Sequence, residues 1–435
     1  MVWVRYLLVF VFVLLGLVSL RFGIFSLIGS NLYHKDFMQE YLMAKAVLAG
    51  IDPYQPLPDL ARHFLGSLPQ INLPHPTPHP PPVVFLGLVF SIFTYESAAI
   101  LWFVVELLLI AWAVYLILKI IDQKARLVKV LVLTIGLLGF RPFIANLGYG
   151  QLMTVLLLLL TSAWLKLKDG KDLDAGVLIG MAMAIKLVAW PLVLYLAVQR
   201  RWKAVVGAAS VFVAANLAAG LVMGFTAVAD YYLIVSRTVT PLYRAHEGNF
   251  SLWTIGYRLF EGTGSPGLSG LAAPPLVNLP GLAAPTSLAL VVVFLALSMW
   301  LAIKCRSLVA AYSILICSSL LLSPIFWVVY LVLTLIPMAY VIKRLVDLDY
   351  PRLESWVTFV LLGFLMGPRE IMVGLLARLP YEIASDATQQ FSFASSLISL
   401  LPMLVVFILI WLVYRVQAGK AVRQTTGFSQ DQSHA

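Results

Sequence analysis

The run YLLVFVFVLLGLVSL at residues 6–20 contains no charged side chain. Continued to about Ile28, it is long enough to cross the roughly 30 Å hydrocarbon layer of a bilayer as a helix. It follows a single basic residue, Arg5, and no Ala-x-Ala-type cleavage site closes it. It therefore reads as a retained span, not a removed signal peptide. Runs of this kind recur along all 435 residues, of which 61% are hydrophobic and 11% charged. Soluble chains carry about 25% charged residues. The expected class is an all-α polytopic membrane protein, since a chain in lipid must satisfy its backbone internally.

The net charge of +10 is spread over short connections, so it implies positive-inside topology and no nucleic-acid partner. Lys119, Lys124, Arg126 and Lys129 form one such connection; Lys166, Lys168 and Lys171 a second; Arg200, Arg201 and Lys203 a third. Lys304 with Arg306, Lys343 with Arg344, and Arg415, Lys420 and Arg423 continue the series. All of these are expected to face the cytoplasm. Two long segments differ, about 29–82 and 225–285, with nearly balanced charge and many Pro, Gly and aromatic residues. Both are placed on the outer face. Spans are then expected near 6–28, 97–119, 127–143, 151–165, 173–187, 188–199, 203–223, 287–303, 308–322, 325–342, 354–376 and 395–414. That is about 12 crossings with both ends inside, thirteen remaining open. Residues 83–94 are too short to cross alone and read as a broken or re-entrant piece. Residues 1–423 are taken as one transmembrane domain and 424–435 as a disordered cytoplasmic tail. Cys305 and Cys317 read as packing residues.

This topology brings polar residues from separate segments to the outer face. Asp36 and His79 come from the first loop, Arg141, Asn146 and Gln151 from a turn, and Lys186 from the top of a span. Asn249, Ser251 and Arg258 come from the second loop, and Ser323-Pro324-Ile325-Phe326-Trp327 from the start of a later span. Lys186 reads either as a side chain snorkelling to the interface or as a ligand for an anionic head group. Arg141, Arg244 and Arg258 read either as interfacial anchors or as bidentate phosphate ligands. His34, His63, His75, His79 and His246 share the outer loops, but their spacing matches no metal-ligand motif. No metal and no cofactor is expected.

In order along the chain these segments resemble the GT-C superfamily of integral-membrane glycosyltransferases, most closely glycosyltransferase family eighty-seven. The resemblance rests on Asp36-Phe37 with Tyr41, Ala49-Gly50-Ile51-Asp52-Pro53-Tyr54, and His79-Pro80-Pro81. It continues through Asn146 with Gly150-Gln151, and Gly176, Gly180 and Lys186 with Pro191. Arg200-Arg201-Trp202, Gly248-Asn249-Phe250-Ser251 with Arg258, and Ser323-Pro324 with Trp327 complete it. It implies a GT-C-type fold whose two long outer loops contain short helices. It also implies an inverting transfer of a sugar, by analogy mannose, from a polyprenyl-phosphate donor. The acceptor would be a lipid or glycan at the outer face of the cytoplasmic membrane, in cell-envelope glycolipid biosynthesis. The first-loop aspartate is the implied base, which carries over to Asp36. Lys186, Arg258, Arg244 and Arg141 are assigned to the donor phosphate; His79, Gln151, Asn249, Tyr54, Trp327 and Glu40 to substrate binding. Glu40 also reads as a structural partner for Lys35 or Lys45. Two departures stand out: relatives often read Tyr-Pro-Pro at His79-Pro80-Pro81, and carry histidines where Val329 and Tyr330 stand here.

The chemistry needs one carboxylate to take a proton and cations to hold a leaving phosphate. Single-displacement inversion needs no second catalytic carboxylate. A transporter or flippase of a lipid-linked sugar is the alternative, and Glu106 inside the second span is its best support. Against it, no internal repeat is evident and the polar residues gather at one face.

Overall fold

Gly139-Phe140-Arg141-Pro142 interrupts what the sequence presents as one span. Pro142 has no N–H for the preceding turn, so the helix that ends at Leu137 restarts at Arg141 in a new direction, 82° away. The expected crossing at 127–143 is therefore corrected to two pieces. The first has 11 residues, about 16 Å, roughly half a membrane.

The computed structural model describes residues 2–66, 75–121, 123–264, 272–305, 307–367, 381–383, 389–391 and 393–428. Arg306, the end of the expected 354–376 span, parts of both long loops and residues 429–435 lie outside them. The α-helices are α1 (Val2–Phe25), α2 (Phe37–Leu48), α3 (Leu57–Leu65), α4 (Val84–Phe90), α5 (Tyr95–Ile120), α6 (Leu127–Leu137) and α7 (Arg141–Tyr149). They continue as α8 (Met153–Lys168), α9 (Asp172–Ile185), α10 (Trp190–Val198), α11 (Trp202–Met223), α12 (Phe225–Asp230), α13 (Ser236–Leu242) and α14 (Ile255–Phe260). Last come α15 (Ala283–Lys304), α16 (Leu308–Leu322), α17 (Leu335–Asp347), α18 (Arg352–Met366), α19 (Phe393–Ile398) and α20 (Leu401–Phe428). A short antiparallel ribbon pairs Tyr381–Ile383 with Gln389–Phe391. Helix α20 runs on to Phe428, into the stretch expected to be a disordered tail.

Among the described residues six helices are long and apolar enough to cross a membrane, or seven with the bent α6–α7 pair as one span. This is a multi-pass membrane protein. The expected count of 12 leans on shorter helices such as α9, with 14 residues, and α16, with 15. Every residue of α16 from Ala310 to Leu322 is buried, so this helix forms the centre of the bundle. Its Tyr312 hydroxyl donates to the Leu160 carbonyl of α8 at 2.7 Å. The α9–α11 pair packs backbone to backbone. A Cβ on Gly176 would lie 2.0 Å from the Ala204 oxygen, and one on Gly180 2.5 Å from the Ala208 oxygen. Small residues four apart give helices in lipid this approach.

Three of the basic connections meet at one end. Lys168 Nζ donates to the Ile120 carbonyl at 3.0 Å, Lys166 lies 3.4 Å from Asp174, and Arg201 3.1 Å from Asp172. A different set of segments, including 33–39, 75–80, 141–151 and 231–250, borders one large cleft.

Candidate active site

Asp36 has helical dihedrals (φ −64°, ψ −27°) at the start of α2, so its side chain does not turn back to cap that helix. Its backbone N–H donates to the Tyr149 carbonyl at 2.8 Å, which ties the first loop to the end of α7. Lys35 completes the junction. Its buried ammonium donates to Leu147 O at 3.2 Å, Gly148 O at 2.8 Å and Ser26 Oγ at 2.8 Å, placing a cation on the negative end of α7. Burial lowers the Lys35 pKa to about 8, against the pull of Glu106 and Asp36. The chain leaves α7 through Gly150, whose φ of +65° only glycine adopts without strain. Gln151 is thereby brought under Asp36.

The free Asp36 carboxylate is held on both oxygens. Gln151 Nε2 donates to Oδ2, and Gln39 Nε2 donates to Oδ1 at 3.3 Å. Gln151 Oε1 in turn accepts from Lys186 Nζ at 3.0 Å, and Lys186 sits 4.5 Å over the Tyr330 ring. Lys186 is where α9 ends, its backbone extended (φ −149°, ψ 129°) so that the side chain leaves the helix axis. A carboxylate, an amide and an ammonium thus form one chain of hydrogen bonds, its ends contributed by segments 150 residues apart. Burial raises the Asp36 pKa; the Gln151 bond, His79 and Lys186 oppose that shift and Glu40 adds to it.

The cleft around them has a volume of about 1830 Å³, and Asp36, Gln151 and Lys186 all line it. His79, Arg141, Arg244 and Trp327, named from sequence, line it too. Arg244 donates to the Tyr257 hydroxyl at 2.9 Å. Trp327 meets Tyr243 and His246 edge to face, and His75 Nε2 bonds the Tyr243 hydroxyl, forming an aromatic wall. Gln39, Tyr330 and Tyr243 belong to this cleft although sequence reasoning gave them no role.

Four residues assigned to substrate do not line the cleft, and each has a structural task instead. Arg258 is 1% exposed, and its guanidinium donates to Glu247 O at 2.8 Å, Asn249 O at 3.1 Å, Ser399 Oγ at 2.6 Å and the Ser396 carbonyl. It clamps the second loop onto α19, and burial draws its pKa down only to about 10, so it stays charged. Asn249 donates to Tyr243 O and Pro324 O and accepts from the Ser251 and Phe326 N–H groups, so all of its side-chain bonds are used. The Tyr54 hydroxyl donates to His79 O at 3.1 Å. Glu40 pairs with His79, 2.6 Å from Nδ1, and not with Lys35 or Lys45 as expected. Among the described residues no group of three or more His, Cys, Asp or Glu side chains gathers as metal ligands.

Arg258→Ala is expected to act on stability. It orphans buried carbonyls at about 1–3 kcal/mol each, so the melting temperature in detergent should fall while donor KM of the folded fraction stays unchanged. A raised donor KM at an unchanged melting temperature would return Arg258 to the substrate.

Residues 78–324, more than half of the chain, match glycosyltransferase family 87. The chain belongs to that family. No curated protein and no solved structure matches the chain. The family 87 segment contains His79, Arg141, Gln151, Lys186 and Arg244, and begins after Asp36. Membership makes this multi-pass protein a glycosyltransferase, with a sugar donor and an acceptor as its substrates.

Proposed function

We propose that the protein is an inverting transferase that moves a sugar, mannose by the family resemblance, from a polyprenyl-phosphate donor to a lipid or glycan acceptor. The reaction is assigned to the outer face of the cytoplasmic membrane, with the basic connections inside. The observation that carries the reading is the Asp36–Gln151–Lys186 chain of hydrogen bonds in the cleft. It sets a base beside a cation without letting them neutralise each other in direct contact.

Asp36 takes the proton of the acceptor hydroxyl as its oxygen attacks the anomeric carbon. The bond from that carbon to the phosphate oxygen breaks, and its electron pair stays on the phosphate. Lys186 meets the charge that develops there, which stands in for a general acid. Arg141 and Arg244 add positive potential along the cleft. Glu40, 1% exposed and behind His79, is not positioned to reach an acceptor. The aromatic wall of Trp327 and Tyr243 suits the apolar face of a sugar ring. Glu106, the feature that favoured a carrier, is 0% exposed and accepts from Asn146 Nδ2 at 2.5 Å, away from the cleft. It fits a structural bond in the bundle better than a transport path.

Purified protein in detergent, given a short-chain polyprenyl-phosphate mannose and a membrane lipid extract as acceptor, should transfer the sugar with no nucleotide present. Transfer from nucleotide sugars, together with none from any polyprenyl-phosphate sugar, would overturn the donor assignment.

A further inference from the structure

The transfer step leaves the Glu40–His79 pair without a task, although it lies next to the base. Glu40 follows Asp36 by one turn of α2, and its Oε1 lies 2.6 Å from His79 Nδ1 with both side chains buried. Both Glu40 oxygens and His79 Nδ1 are without a hydrogen bond among the described residues, so the two side chains meet by close approach alone. His79 lines the cleft and Glu40 does not. The ring is also held in place through its backbone. The Tyr54 hydroxyl donates to His79 O, the His79 N–H donates to Thr77 Oγ1 at 3.3 Å, and Thr77 Oγ1 donates to Gln39 Oε1 at 3.2 Å. That last link leads back to Asp36 through Gln39 Nε2. With Nδ1 facing the carboxylate, Nε2 is the ring atom left for a ligand.

A carboxylate set against Nδ1 fixes the orientation of an imidazole ring.

We propose that Glu40 fixes the His79 ring so that its Nε2–H donates to the phosphate of the polyprenyl-phosphate donor, as a second contact alongside Lys186. This rests on the donor class proposed above. The phosphate changes from a diester with about one negative charge to a monoester approaching two as the sugar leaves, so a second donor gains strength as that charge develops.

The test compares dissociation constants of a short-chain polyprenyl phosphate and of the corresponding alcohol in detergent, for wild type, His79→Gln and Glu40→Gln. Both variants should bind the phosphate roughly 10- to 100-fold more weakly, the range of one charge-assisted hydrogen bond, with affinity for the alcohol unchanged. A purely structural role would weaken both ligands alike and lower the melting temperature. Parallel losses, or an unchanged preference for the phosphate in either folded variant, overturn the proposal. If wild type itself shows no preference for the phosphate over the alcohol, the donor class falls, and this contact with it.

Discussion

Asp36→Asn should abolish sugar transfer, by roughly 10²-fold or more in kcat, while donor binding survives. The substitution keeps the size of the side chain and an acceptor oxygen, so the bond from Gln151 Nε2 and the loop around it can persist. Only basicity is lost. The predicted signature is therefore a collapse of kcat at a nearly constant donor KM, in protein that inserts and melts like wild type. The pH profile gives a second reading of the same group. Burial raises the Asp36 pKa, and the base acts only when deprotonated. Activity should accordingly fall, as pH is lowered, at a higher pH than an exposed aspartate would set. In Asp36→Asn that acidic limb should vanish along with most of the rate. Near-normal turnover in the folded variant would move the base elsewhere.

Lys186→Ala should cost about 10²-fold in kcat, the usual scale for losing one preorganised donor to developing charge. Its ammonium is held by Gln151 Oε1 at 3.0 Å and by the face of Tyr330, so it stays aimed into the cleft without substrate. Lys186→Arg should recover part of the rate, since charge is kept while the geometry of a single ammonium is not. The loss should appear in the donor dependence. A defect confined to the acceptor dependence would remove the phosphate role.

That Asp36, Gln151 and Lys186 share one cleft is legible in the sequence, because the expected topology puts their segments on one face and the family resemblance runs through all three. What binds them was less so. Gln39 stands three residues after Asp36 and would have declared itself had 37–48 been read as a helix, because i and i+3 share a face. Tyr330 was noted only as a departure from the relatives, yet it lies beneath Lys186. The structural bonds of Arg258 and Asn249 are hidden from the sequence for a physical reason. A guanidinium in a polar loop offers the same donors to a phosphate as to backbone carbonyls, and its partners at Ser396 and Ser399 lie about 140 residues away. The Glu40–His79 pair spans 39 residues in the same way. Hydropathy located the apolar segments but ran the span of α6 on to residue 143 and read 141–151 as a turn, since it does not register that Gly139 and Pro142 end one helix and start another there.

The proposed reaction uses one carboxylate once, as a base, with no covalent sugar–enzyme intermediate. The anomeric configuration of the product tests this most directly. A donor of defined anomer is turned over by the purified protein, and the new glycosidic linkage is read by NMR from its one-bond C1–H1 coupling. Inversion relative to the donor is the predicted result. A retained configuration would demand a nucleophile that Asp36, held between Gln151 and Gln39 as a proton acceptor, does not supply in this account, and would contradict it.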